Sequence, residues 1–268
     1  APSSGSFVPP TVLAVSGIND LEEEIFGPVL HFATFEADAL DQVIDDINAS
    51  NYGLTFGFHS RIDDRVQRVV SKIDVGNLYI NRNQIGAVVG SQPFGGNGLS
   101  GTGPKAGGPR YLQRFAMQNL LPLGQLVPPR LTLKEVSNAL NINPKFRLPA
   151  TVDLPGPTGE SNRYILSPRR RVLCMGPGSK EYAERAKLLG CNAIAATLSV
   201  NELILVEELD AVICVGPTAT EIRKALSARN GPIVPVLMDE NFEMWLMREQ
   251  SVCIDTTAAG GNAALLAS

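Results

Sequence analysis

Apolar and polar positions alternate along the first third of the chain with two different periods. A Pro-punctuated run, FVPPTVLAV, reads as a short strand and is followed by a polar turn at Gly17–Asp20. Gly27-Pro28 stops any helix and hands over to an apolar strand at Val29–Phe35. Over Ala39–Asn48 the apolar residues Leu40, Val43, Ile44 and Ile47 form a helical stripe. Leu54–His59 predicts a strand. Arg61–Ile73 predicts a helix whose Asp63-Asp64 start suits the positive end of its dipole. Val75–Asn81 is the next strand and leads into a glycine-rich stretch, Gly86–Phe115. Strand and helix in turn are the mark of an α/β chain.

The texture changes near Leu121. LPLGQLVPPR resembles a linker, Leu131–Leu140 is a short amphipathic helix, and Asn143–Gly159 is rich in Pro and Gly. That run is the expected domain boundary. Beyond it a second alternation places strands near Arg171–Met175, Cys191–Thr197, Ala211–Gly216, Pro232–Met238 and Ser251–Asp255. Helices are expected near Lys180–Leu189, Glu202–Leu209, Thr220–Ala228 and Asn241–Glu249. The pattern is that of a doubly wound, Rossmann-like parallel sheet. The divisions are therefore 1–125, a linker with its short helix at 126–159, a second domain at 160–255, and a small-residue tail at 256–268.

Composition narrows the function. With 268 residues and 44% hydrophobic content the chain can bury one large or two modest cores. A net charge of −4 argues against nucleic-acid binding. No apolar run has the length of a membrane span, and no signal peptide opens the chain; Ala1 in a Pro/Ser-rich context suggests a segment of something longer. Cys174, Cys191, Cys214 and Cys253 stand in apolar surroundings without metal spacing, which predicts buried, reduced thiols in a cytoplasmic protein. With His31 and His59 the only histidines, a zinc site is not expected. The run Arg169-Arg170-Arg171 reads as a solvated or interface cluster of charge.

The candidate chemistry lies in the glycine-rich stretch. Glycine at this density lets the backbone take positive φ and present bare N–H groups, though a plain surface loop has the same composition. At Gly86-Ala87, successive N–H groups can form a small anion nest able to receive a carboxylate. Upstream, Glu24 and Phe26 stand just before the Gly-Pro turn. Such a carboxylate can accept two hydrogen bonds from vicinal hydroxyls and such a ring can support a flat heterocycle; a surface acid and a core aromatic are the plainer reading. After the Arg171–Met175 strand, GPGSKE has Glu181 where a dinucleotide fingerprint wants a third glycine, and Pro177 removes a donor, which argues against a cofactor there.

The literal words carry more than the spacing. GAVVGSQPFGGNGLSGTGPKAGGP, with NYGLTFGFHSR and EEEIFGPVL before it, resembles the C-terminal third of the aldehyde dehydrogenase superfamily. More narrowly it is similar to the L-glutamate γ-semialdehyde (1-pyrroline-5-carboxylate) dehydrogenases fused behind proline dehydrogenase in the bacterial proline utilization A family. The resemblance is strong over 20–118, good at 155–175 and 251–266, and weak between. It implies that Glu24 holds the nicotinamide ribose of NAD and that Phe26 positions the nicotinamide. It further implies that Gly86 and Ala87 bind the glutamate-like end of the substrate, and that Phe94 presses on its aliphatic stem, with a packing role the alternative for Phe94. Neither the family's cysteine nucleophile motif nor its Glu-Leu-Gly-Gly base motif occurs here, so no catalytic residue is expected in this chain. PTGESNRYILSPRRRVLC and SVCIDTTAAGGNAALLAS resemble a non-catalytic, aldehyde-dehydrogenase-like C-terminal domain whose tail covers a tunnel between two active sites. FAD is expected only in the absent proline dehydrogenase part. The implied partners are the upstream part of the same enzyme, a small-molecule substrate and further copies in a homo-oligomer, in the cytoplasm or peripheral to a membrane through the parent enzyme. The competing reading is a non-catalytic scaffold that keeps the dehydrogenase shape.

Overall fold

Continuous apolar runs have built one sheet with two apolar faces, and alternation with period two a second with one apolar and one polar face. The computed structural model describes residues 4–116, 124–142 and 150–257, apart from 215, 217 and 239. The Asn143–Gly159 boundary is therefore described only from residue 150, and most of the 256–268 tail lies outside the described residues.

The first sheet is parallel, four-stranded, and ordered β10-β9-β11-β12: Asn192–Ala195, Arg171–Met175, Ala211–Cys214 and Val236–Leu237. In β9, Val172 and Cys174 face one core with Tyr182, Phe242 and Trp245, while Leu173 and Met175 face the other with Val136, Leu203 and Ile222. Strands apolar on both sides need helices on both sides. They are supplied by α4 (Ser179–Leu188) and α7 (Phe242–Trp245) on one face, and by α3 (Leu133–Leu140), α5 (Val200–Ile204) and α6 (Ala219–Leu226) on the other. Reciprocal capping boxes start two of these helices, Thr132 with Glu135 and Ser199 with Glu202. The second box explains why α5 begins before the expected Glu202.

The other large sheet is mixed, ordered β4-β5-β13-β8-β7, from Thr55–Phe58, Asn77–Ile80, Met247–Asp255, Glu160–Pro168 and Ala150–Leu154. It joins the two halves of the chain. The expected fifth strand of the doubly wound sheet, Ser251–Asp255, forms here instead, parallel to β5 and antiparallel to β8. The helix expected over Asn241–Glu249 ends at Trp245 for the same reason. From Met247 onward nine residues pair with Pro168 through Glu160, and this ladder outweighs local helix preference.

Helices α1 (Leu40–Ala49) and α2 (Asp63–Lys72) cover one face of this sheet, burying Ile44, Val66 and Val69 against Leu78, Ile80, Val252 and Ile254. The opposite face carries the intervening residues: Asn77 and Tyr79 from β5, Glu249, Ser251 and Cys253 from β13, and Tyr164 from β8. That face is polar, and the glycine-rich stretch lies on it. Among the described residues there are also two short pairs, parallel β1–β2 (Thr11–Ala14, Val29–Phe32) and antiparallel β3–β6 (Tyr52–Gly53, Asn97–Gly98).

Candidate functional site

Asn77 organises the glycine-rich stretch. A carboxamide inside an otherwise apolar strand must find partners once buried. Its Nδ2 donates to Pro93 O at 2.9 Å, and its Oδ1 accepts from Gly95 N and from Lys105 Nζ, both at 3.0 Å. Phe94 sits between those anchor points and exchanges two backbone hydrogen bonds with Ala106, at 3.0 and 2.7 Å. Its main chain is held from both sides while its ring stays half-buried. Gly76 lets the layers approach, since a Cβ there would lie 1.9 Å from Gly95 O.

Lys105 is almost fully buried, and burial pushes its ammonium down to about 7, partly opposed by the charge of Glu249. Glu249 accepts from the Lys105 amide at 3.1 Å and from the Tyr164 hydroxyl, tying the stretch to β13 and β8. Nearby, Arg169 is buried rather than solvated. It donates to the carbonyls of Trp245, Asp210 and Thr102, whereas Arg170 is exposed and Arg171 pairs with Glu208. The three arginines, read together as one charge cluster, have separate roles.

Between β5 and Gln92 the chain makes an exposed loop. Gly86 has φ +75°, Ala87 follows half-buried, and among the described residues no acceptor engages either amide. A Cβ at Gly86 would meet nothing within 4 Å, so the backbone angle, not room, favours glycine there. Gly86, Ala87 and Phe94 thus share one continuous element. Glu24 and Phe26 lie apart in the turn before β2. Glu24 is exposed, and its amide donates to Tyr52 Oη at 3.3 Å; Phe26 is 92% exposed. Tyr52 pairs with Gly98, which links that turn to the middle of the glycine-rich stretch.

All four cysteines are buried and unbridged. Burial raises each thiol, Cys253 to about 11 and Cys191 to about 12, so none is a thiolate near neutrality. Cys253 departs from the expected apolar setting, with Arg82 Nη1 at 2.9 Å and Gln92 Nε2 at 3.3 Å from its sulfur. The GPGSKE turn is engaged by the chain itself, as Gly178 N donates to Leu126 O.

Sequence reading missed Asn77, Gln92, Lys105, Glu160 and Glu249. Asn77 did leave a signal, being polar at the head of NLYI, a strand buried at every position. The others meet across separations of tens of residues, which no local pattern records.

Residues 1–119 match the family model described as "Aldehyde dehydrogenase family". A bifunctional protein PutA from Rhizobium meliloti is 38% identical over 312 residues, covering 98% of this chain and 25% of that protein. A 1-pyrroline-5-carboxylate dehydrogenase from Geobacillus thermodenitrificans is 46% identical over 112 residues, covering 41% of this chain and 21% of its own length. The solved structure of Proline Utilization A from Corynebacterium freiburgense superposes with a TM-score of 0.59 at 25% identity, covering 87% of this chain and 26% of that one. The chain spans about a quarter of the length of the curated PutA relatives it matches.

Proposed function

We propose, from the match of residues 1–119 to the aldehyde dehydrogenase family model, that the chain forms one wall of an NAD-dependent L-glutamate γ-semialdehyde dehydrogenase site within a longer, bifunctional proline-catabolic enzyme. The observation that carries the reading is the pair of unengaged amides at Gly86, which is left-handed at φ +75°, and Ala87, in a chain similar over 41% of its length to a protein named for this substrate. Those amides receive the α-carboxylate of the substrate, and Phe94, its main chain fixed by Asn77 and Ala106, packs on the aliphatic stem.

The turn at Glu24–Phe26 fits the nicotinamide end of NAD. The Phe26 ring is open to a flat partner, and no hydrogen bond occupies the Glu24 carboxylate among the described residues. NAD supplies the hydride acceptor; Glu24 orients the ribose through its hydroxyls. The attacking thiolate comes from outside this chain, since burial keeps all four thiols protonated. Residues 1–268 alone are accordingly inactive. Exposed apolar side chains on one face of the β1–β2 pair, Val12, Leu30 and Phe32, support an upstream part of the same protein packing there. Further copies can add at the outer edge of β7, which is largely exposed. The residues beyond Thr257 are proposed to cover the tunnel between the two active sites.

The test is the complete enzyme carrying Gly86→Val. Its KM for glutamate semialdehyde should rise several-fold more than its KM for NAD. Equal loss on aldehydes that have no carboxylate would remove the anchor role. A complete protein with no dehydrogenase turnover at all would favour the scaffold reading.

A further inference from the structure

The loop that presents Gly86 and Ala87 begins at Arg82 and closes at Gln92, and the same two residues of the C-terminal strands grip both ends. Glu160, at the start of β8, accepts from Arg82 Nη1 through Oε2 at 2.7 Å and from Gln92 Nε2 through Oε1 at 3.0 Å. Cys253, opposite Asn162 on β13, accepts from the same Arg82 nitrogen at 2.9 Å and the same Gln92 nitrogen at 3.3 Å. Four contacts from two side chains therefore hold the loop as one holds a clip by its two feet. Gln92, 1% exposed, passes the restraint inward to the loop. Its amide donates to Val88 O at 2.8 Å, and its side-chain Oε1 accepts from Val88 N at 3.3 Å, one residue past Ala87. At the other foot Arg82 stacks over the Tyr79 ring, 5.5 Å from its centroid.

We infer that Glu160 and Cys253 are positioning residues that set the reach of the Gly86–Ala87 amides and so the preference for a carboxylated aldehyde. This rests on the reading of those amides as the carboxylate anchor. The chemistry of Glu160 is specific to the task. A carboxylate offers acceptors on both oxygens, so it satisfies two converging donors at once. A carboxamide of the same shape has one acceptor; its NH₂ faces either the Arg82 guanidinium or the Gln92 Nε2. Turning Gln92 over to relieve that conflict sets its NH₂ against the Val88 amide, which loosens the loop beside Ala87.

The experiment uses the complete enzyme and compares kcat/KM for L-glutamate γ-semialdehyde with kcat/KM for pentanal, which has no carboxylate. In Glu160→Gln the ratio of the two should fall about tenfold, the scale of one charge-assisted hydrogen bond, with KM for NAD unmoved. A purely structural role would lower both substrates together and leave the ratio at its wild-type value, which overturns the inference. If Glu160→Gln does not fold, Gln92→Met is read by the same ratio with the same two outcomes. Gly86→Val locates a failure. A ratio that falls in Gly86→Val but not in Glu160→Gln means the clip is wrong and the anchor right. A ratio unchanged in both overturns the inference by removing the anchor beneath it.

Discussion

The ammonium of Lys105 lies 3.0 Å from Asn77 Oδ1, deep between a strand and the glycine-rich stretch that the strand carries. Burial holds this ammonium near 7, against an ordinary value of 10.5. On unfolding, the higher value returns. Between about pH 7 and 10.5 the unfolded chain therefore binds a proton that the folded chain lacks, and stability from this group rises with pH across that window, by at most roughly 1.4 kcal/mol per pH unit. Urea midpoints measured at several pH values across the window should climb more steeply for the natural chain than for Lys105→Met. Parallel slopes would show that the ammonium is not desolvated.

Two glycines should respond differently to the same methyl group. Gly76→Ala puts a Cβ 1.9 Å from Gly95 O, a clash between two main chains. We expect a loss above the usual range for point substitutions, more than about 3 kcal/mol. Gly86→Ala meets no neighbour and strains only φ, costing about 1 kcal/mol. Denaturation midpoints of the two variants decide it; similar values would contradict the close approach at Gly76.

Glu24→Gln in the complete enzyme should raise KM for NAD about tenfold, as one charge-assisted hydrogen bond to the ribose would require. Its melting temperature should stay unchanged, because the Glu24 side chain is exposed. A fall in melting temperature together with activity would mark a structural residue instead.

Neighbouring arginines offer a further contrast. Arg169→Met leaves three carbonyls without their buried donor and should cost roughly 2–4 kcal/mol; Arg170→Met, at an exposed position, should change stability by less than about 0.5 kcal/mol. Thermal or urea unfolding measures both.

Thiol chemistry checks the burial of the cysteines. Native chain at about pH 8 should resist alkylation at Cys174, Cys191, Cys214 and Cys253, and all four should react once urea unfolds it. Rapid labelling of any one in the native state would show a thiolate that burial does not suppress.

Where apolar periodicity is strong, the elements could be read directly. Arg171–Met175 forms over the expected residues, and the stripe Leu40, Val43, Ile44 and Ile47 is the helix Leu40–Ala49. The elements that could not be read depend on distant partners. Glu249 sits in a strand because β8 pairs with it, not because its neighbours prefer extended backbone. Glu160–Pro168 mixes polar and apolar residues and only acquires a strand's pattern beside β13. The same division holds for the site. Gly86, Ala87 and Phe94, the proposed anchor residues, lie within one contiguous stretch of sequence. Gln92, Glu160 and Cys253 could not be picked out, since their relation exists only after two separate regions share a sheet.

That shared sheet makes Pro168 and Met247 direct partners across the β8–β13 ladder. Everything from Arg169 to Leu246, including the whole four-stranded sheet, hangs from what is topologically a hairpin end. The outer ladder can therefore zip only after a long intervening stretch has been brought to closure, and it raises the contact order of the chain. Replacing Arg169–Leu246 by a tight turn would reduce the entropic cost of closing that ladder by roughly 2–3 kcal/mol. We therefore expect the β8–β13 ladder to close late, after the inserted unit has folded, and the loop at Gly86 to take its final shape with it.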